Sequence, residues 1–187
     1  MRVYVIRHGQ SQTNQQKTWT GWTDVPLTER GIEDAKKVGE MLKNVPFDKV
    51  YASDLIRAVD TARNALPGKP VQTTSLLREL DVGTLAGKPW SFLTDEDRAR
   101  IFREGYVRYG GESQRVFYDR VLAFKKELEG LDAENVAVFS HNGWVRAMLD
   151  TVLEVRLPRK HMFCNNCAVT IYEYNKNLWK LHSWINL

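Results

Sequence analysis

Short apolar runs rich in β-branched residues alternate with stretches of helical periodicity, and this alternation constrains the chain more than any other feature. Val3, Tyr4, Val5 and Ile6 make the first run and Arg7-His8-Gly9 ends it, so the sequence predicts a short buried strand opening into a loop. From Thr28 the apolar residues Ile32, Ala35, Val38 and Leu42 recur at helical spacing, with Thr28 as N-cap and Glu29 in the first turn. Val50, Tyr51 and Ala52 predict a second strand. Ser53 is expected to cap the next helix, marked by Leu55, Ala58, Val59, Ala62 and Leu66 and stopped by Pro67-Gly68. Ser113 caps a long helix with Phe117, Val121, Phe124, Leu128 and Leu131 on one stripe. A third strand, Val136 to Phe139, follows and ends in Ser140-His141, and helical spacing returns from Trp144 to Leu153. Val169, Ile171 and Tyr172, then Leu178, Trp179, Leu181 and Trp184, flank Asn175-Lys176-Asn177 and predict a closing hairpin.

Strands alternating with helices predict an α/β fold, a three-layer α/β/α sandwich on a mostly parallel sheet, with ligands at the carboxyl ends of the strands. Two of the strands meet that rule with a histidine, His8 after the first and His141 after Val136–Phe139. A length of 187 residues favours one domain over 1–187. Hydrophobic residues at 43% and charged residues at 27% exclude a disordered or fibrous chain. Segment 83–112 breaks the alternation, with glycines near each end, Trp90 and a charged helix from about Asp95 to Arg103. It reads as an insertion or lid, with Lys88, Trp90, Arg98, Arg100, Arg103, Arg108 and Tyr109 as candidates to line it or as an ordinary solvated face.

Charge and cysteine content narrow the partners. The net charge of +4 suits an anionic small molecule, and basic residues run no further than pairs such as Lys36-Lys37, which argues against nucleic acid. No apolar run approaches the ~18 residues that would predict a membrane span, and no signal peptide is evident. Two cysteines, Cys164 and Cys167, are too few for a disulfide framework, so a cytoplasmic location is expected. His161, Cys164 and Cys167 have a spacing that can bind zinc, but with no fourth ligand evident buried thiols are the favoured reading. Oligomeric state is open; the final hairpin could present an edge to a second chain or be covered.

Arg7-His8-Gly9-Gln10-Ser11, with Asn14 three residues on, places a guanidinium, an imidazole, a hydroxyl and an amide around a glycine turn, an inventory suited to phosphate. Arg57 adds a second guanidinium at the start of a helix, where an exposed arginine is the ordinary alternative. By spacing alone Glu79 reads as a surface carboxylate beside Arg78 or Arg2. Ser140 and Ser53 lack the Gly-x-Ser-x-Gly elbow of a serine hydrolase.

With these residues in place the chain resembles the histidine phosphatase superfamily, in the branch related to cofactor-dependent phosphoglycerate mutase. Arg7-His8-Gly9 with Ser11 and Asn14 matches its first signature, and Gly21 to Thr28 matches the stretch that follows. Ser53-Asp54-Leu55-Ile56-Arg57-Ala58 with Thr61-Ala62 resembles the second arginine motif, and Glu79 with Gly83 and Gly87 the acid loop. Gly110-Gly111-Glu112-Ser113 resembles the helix entry, Val138-Phe139-Ser140-His141 the second histidine strand, and Asn166-Cys167-Ala168-Val169 a late strand containing asparagine. The resemblance leaves out only about 90–109.

It implies a phosphoglycerate mutase-like fold and a phosphohistidine formed on His8, with Arg7, Arg57 and His141 holding phosphoryl oxygens and Glu79 supplying the proton to the leaving oxygen. Asn14, Thr20 and Gly21 fall where the family contacts substrate, although turn chemistry explains them equally well. Asn142 stands where the family commonly has glycine. No metal and no cofactor are implied. Neighbouring arginines would keep His8 neutral and nucleophilic and would neutralise a phosphoryl dianion. The acid segment Glu79-Leu80-Asp81-Val82 departs from the Glu-Arg-His-Tyr-like segment of the mutase, and the insertion is shorter, so the expectation is a phosphatase for small phosphorylated metabolites, with the mutase as alternative. A phosphoryl binder without turnover is the remaining reading.

Overall fold

The structure, a computed structural model, describes residues 1–157 and 164–187. Its strands are β1 (Arg2–Arg7), β2 (Lys49–Ser53), β3 (Gln72–Thr74), β4 (Asn135–Ser140), β5 (Val169–Asn175) and β6 (Leu178–Ile185). Its helices are α1 (Gln12–Gln15), α2 (Glu29–Leu42), α3 (Ile56–Ala65), α4 (Asp95–Glu104), α5 (Gln114–Glu129) and α6 (Asn142–Leu153). The sheet order is β3-β2-β4-β1-β5-β6, parallel from β3 to β1 and antiparallel through β5 and β6.

Alternation along the central strands builds the three layers. Val3 and Val5 of β1 and Val136 and Val138 of β4 pack with Phe117, Val121 and Phe124 of α5 and Trp144 and Met148 of α6. Tyr4, Ile6, Ala137 and Phe139 point the other way, onto Ala35, Val38 and Leu42 of α2 and Val59 and Ala62 of α3. This is the expected α/β/α sandwich, with a core on each face of the sheet. Lys176 and Asn177 turn the β5–β6 hairpin with φ of 49° and 60°, the left-handed pair that a two-residue hairpin needs. Among the described residues no helix is long and apolar enough to cross a membrane.

Most helix starts follow the local sequence. Thr28 caps α2 by accepting from Gly31 N–H at 3.1 Å, and Ser113 caps α5 by accepting from Val116 N–H at 3.2 Å. The start of α3 does not. Ser53 turns its hydroxyl to Leu55 N–H instead, and the free N–H of Ile56 donates to Asp24 Oδ1 at 2.7 Å, a cap delivered from a distant loop. β3 has no apolar alternation and only three residues, which is why no strand is predicted there. Segment 83–112 holds α4 and short single turns. Its early part lies against residues 17–19, through Trp19 N–H to Lys88 O at 2.8 Å and Trp90 N–H to Lys17 O at 2.9 Å.

Candidate active site

Parallel pairing of β1 with β4 puts Arg7 opposite Ser140, so the next residue of each strand, His8 and His141, emerges at the same edge. His8 N–H donates to Ser140 O at 2.9 Å, and the two imidazoles lie 5.1 Å apart, inclined at 60°. Both are buried. His8 Nδ1 is 2.7 Å from Gly9 O; a carbonyl can only accept, so Nδ1 carries the proton and Nε2 keeps its lone pair. Burial, then the charges of Arg57 and Arg7, hold the His8 pKa well below the ordinary imidazole value. His141 is depressed in the same way, first by burial and then by Arg57, His8, Arg7 and Arg120, and among the described residues neither of its ring nitrogens has a hydrogen-bond partner. Ser140 is buried with its hydroxyl donated to Leu77 O at 2.7 Å, a structural use that leaves it off the cavity wall.

The two arginines are held by backbone carbonyls. Arg57 Nη1 donates to Thr23 O at 2.9 Å and Nη2 to Gly21 O at 2.8 Å, while Arg7 Nη1 donates to Cys164 O. Gly21 has φ +53°, and a Cβ there would lie 2.7 Å from Val82, so the turn that offers its carbonyl to Arg57 requires glycine. Thr61 Oγ1 donates to Arg57 O at 2.6 Å and accepts from Gly9 N–H at 2.9 Å, tying the first turn of α3 to the His8 loop. The Nε atoms of Arg7 and Arg57 are buried without a partner among the described residues. Burial lowers Arg7, and lowers Arg57 to about 10, with the Glu79 charge opposing it in both cases. Buried cationic groups with unused donors beside two neutral imidazoles form a site that an anion would complete.

Glu79 faces the same space. Its Oε2 accepts from Gly143 N–H at 3.1 Å, in the first turn of α6, and its Oε1 from Leu80 N–H at 3.0 Å. The surface pairing with Arg78 does not occur, because Arg78 forks onto Asp54 at 2.6 and 2.8 Å.

A cavity of about 340 Å³ joins these groups. Arg7, His8, Asn14, Thr20, Gly21, Arg57, Glu79 and Asn142 all line it. His141 does not; it sits behind His8, fully buried. Asn14 closes the α1 capping box with Ser11 and accepts from Asn166 Nδ2 at 3.0 Å, and Asn166 also donates to His8 O at 3.0 Å. Asn142 leaves its Oδ1 buried and unpaired among the described residues. Of the residues expected to line an insertion, Trp90 and Arg98 reach the cavity wall, as does Tyr106; Lys88, Arg100, Arg103, Arg108 and Tyr109 do not. Arg100 and Arg108 pair instead with Glu96 and Asp97. A second cavity of about 610 Å³ adjoins the first through Arg7, Asn14 and Trp90.

Cys164 packs on the sheet face of Val3 and Val5, and Cys167 on the face of Tyr4 and Ile6. Burial raises both thiols, Cys167 to about 12. The third member of the zinc-like spacing, His161, lies outside the described residues. Sequence reasoning missed Gly143 and Asp24. The first had only a helix-opening glycine to signal it; the second stands within the Gly21 to Thr28 resemblance, which assigned it no role.

Comparison with known proteins matches residues 3–187 to the model of the histidine phosphatase superfamily (branch 1). A curated Salmonella choleraesuis protein named "Probable phosphoglycerate mutase GpmB" is 29% identical, over 99% of this chain and 90% of its own. The structure resembles the α-ribazole phosphatase of Shigella flexneri, with a TM-score of 0.86 and 28% identity over 98% of this chain and 96% of that one. It also resembles the Entamoeba histolytica phosphoserine phosphatase solved with 3-phosphoglyceric acid, with a TM-score of 0.84 and 25% identity over 100% and 97% of the two chains.

Proposed function

The chain belongs to the histidine phosphatase superfamily, and from that premise we propose that it hydrolyses phosphomonoesters of small metabolites through a phosphohistidine on His8. The observation that carries this reading is the state of His8: buried, with Nδ1 committed to Gly9 O and two guanidinium groups opposing its protonation.

In the first step the Nε2 lone pair of His8 attacks phosphorus, the P–N bond forms and the ester P–O bond breaks. The leaving oxygen takes its proton from Glu79. Arg7 and Arg57 supply donors to the phosphoryl oxygens, where charge spreads in the transition state, while His141, off the cavity wall, packs behind the nucleophile. In the second step Glu79 accepts a proton from water as the water oxygen attacks phosphorus. The P–N bond breaks, its electron pair returns to Nε2 and inorganic phosphate leaves. Asn14 and Asn142 offer amides to the bound phosphate, and segment 83–112, through Trp90, Arg98 and Tyr106, acts as a lid that chooses the leaving group. Rapid quenching with substrate labelled at phosphorus tests the reading: an acid-labile, base-stable label on the native protein and none on His8→Ala is the expected result, and label retained by His8→Ala would refute it.

The name of the curated relative supports a second reading, phosphoglycerate mutase, in which the phosphoryl group returns from His8 to a sister hydroxyl instead of passing to water. That chemistry needs firm anion binding on the side of the cavity away from His8. Arg98 is the one cation that segment 83–112 contributes to the wall, which favours hydrolysis.

A further inference from the structure

Arg120 lies on α5, away from the cavity wall, yet its guanidinium converges on the backbone around Glu79. Nη1 donates to Leu76 O and Arg78 O, each at 3.0 Å, and Nη2 to Glu79 O at 3.2 Å. Glu112 holds the other edge of the same fork, with Oε1 2.8 Å from Nε and Oε2 2.8 Å from Nη2. Both side chains are largely buried, at 15% and 7% exposure. Glu112 Oε2 also faces Asp81 N–H at 3.4 Å, so the pair grips the chain on both sides of Glu79.

Carbonyls at 76, 78 and 79 do not turn toward one point in any regular element, because their dipoles repel. A buried cation that donates to all three, itself neutralised by a bidentate carboxylate, is what makes that conformation stable. Trp22 adds a further donor to Glu79 O, Nε1 at 2.7 Å. The carboxylate at the far end of this braced residue then meets Leu80 N–H and Gly143 N–H. Stability alone would not require such convergence on the single residue whose carboxylate faces His8.

We propose that Arg120, with Glu112, is a positioning residue for proton transfer at Glu79, fixing the acid loop so that the carboxyl stays within reach of the leaving oxygen. The inference rests on the reading of Glu79 as the proton donor, and the test separates the two. The variants Arg120→Gln, Arg120→Lys, Glu112→Gln, Glu79→Gln and the double variant Glu79→Gln/Arg120→Gln are compared by kcat/KM on two probes. One is p-nitrophenyl phosphate, whose leaving group departs without a proton. The other is glycerol 2-phosphate, whose alkoxide needs one.

Arg120→Gln is expected to lose on the order of 10- to 100-fold on the alkyl ester and less than about threefold on the aryl ester. Arg120→Lys and Glu112→Gln, which keep the fold should the first variant lose it, are expected to show the same split with smaller loss, because lysine is a single point donor and cannot reproduce the fork. The double variant should be no worse than Glu79→Gln alone. Equal losses on both probes in the brace variants, beside a clear split in Glu79→Gln, would overturn the positioning role while leaving Glu79 its task. No split in Glu79→Gln itself would remove the premise, and the proposal with it.

Discussion

Gly143 N–H donates to Glu79 Oε2 at 3.1 Å, and a Cβ placed on Gly143 would lie 2.2 Å from Glu79 Oε1. The bare α-carbon at the second position of α6 is therefore what lets the carboxylate seat itself. The atom in the way is the end of a flexible side chain, so Gly143→Ala is expected to push Glu79 aside at little cost to the fold. Alanine even favours the helix by roughly 0.5–1 kcal/mol. The expected outcome is a melting temperature unchanged or raised, with kcat/KM on alkyl phosphomonoesters down at least about tenfold. Calorimetry and steady-state kinetics on one preparation check both halves; full activity would show that the seat is not needed.

His8 and His141 are both held neutral, first by burial and then by the neighbouring arginines. An unfolded histidine takes up its proton near pH 6.5, so the unfolded chain binds more protons than the native one below that value. Their contribution to stability is therefore fully present above about pH 6.5 and falls as the medium becomes more acid, with a slope of at most about 1.4 kcal/mol per pH unit per histidine. Thermal unfolding between pH 4.5 and 7.5 should show this slope, and His141→Gln should reduce it. A slope untouched by that change would mean that His141 is protonated in the native state.

Asp24 caps α3 from a loop 32 residues upstream and so holds the turn that carries Arg57. Asp24→Ala should cost about 1 kcal/mol by denaturant titration, with Asp24→Asn recovering most of it through its amide oxygen. Activity is expected to fall along with the cap, because Arg57 N–H donors are aimed from that first turn.

Arg98 lines the cavity, donates to Trp90 O and has no acidic partner among the described residues. Under the proposed function Arg98→Ala should raise KM about fivefold, equivalent to about 1 kcal/mol, for esters with an anionic leaving group such as 3-phosphoglycerate. p-Nitrophenyl phosphate should change little, and Arg103→Ala, on the exposed face of α4, should change neither.

What the sequence made legible follows from range. His8 and His141 each stand at the end of an apolar run, and strand pairing alone brings two such ends together, so their meeting could be read before the structure was known. Arg57 could be placed on a helix start, but not its cap, because Asp24 reaches it across the loop between α1 and α2. Glu79 lies in a segment with no period at all; only the family resemblance singled it out, and the brace that orders it comes from Arg120, on the other side of segment 83–112. The wall of the cavity depended on which charged residues of α4 turn inward. A helix whose cations are offset by Asp95, Glu96 and Asp97 gives no periodic signal of that choice.

Phosphorus NMR on 3-phosphoglycerate with a trace of 2,3-bisphosphoglycerate, beside a tube of mixed sugar phosphates and with His8→Ala as control, tests the central claim most directly. Hydrolysis through His8 predicts growth of inorganic phosphate in native samples and none with His8→Ala, the fastest-falling ester naming the substrate class. Growth of 2-phosphoglycerate without inorganic phosphate would contradict it and make the protein a mutase.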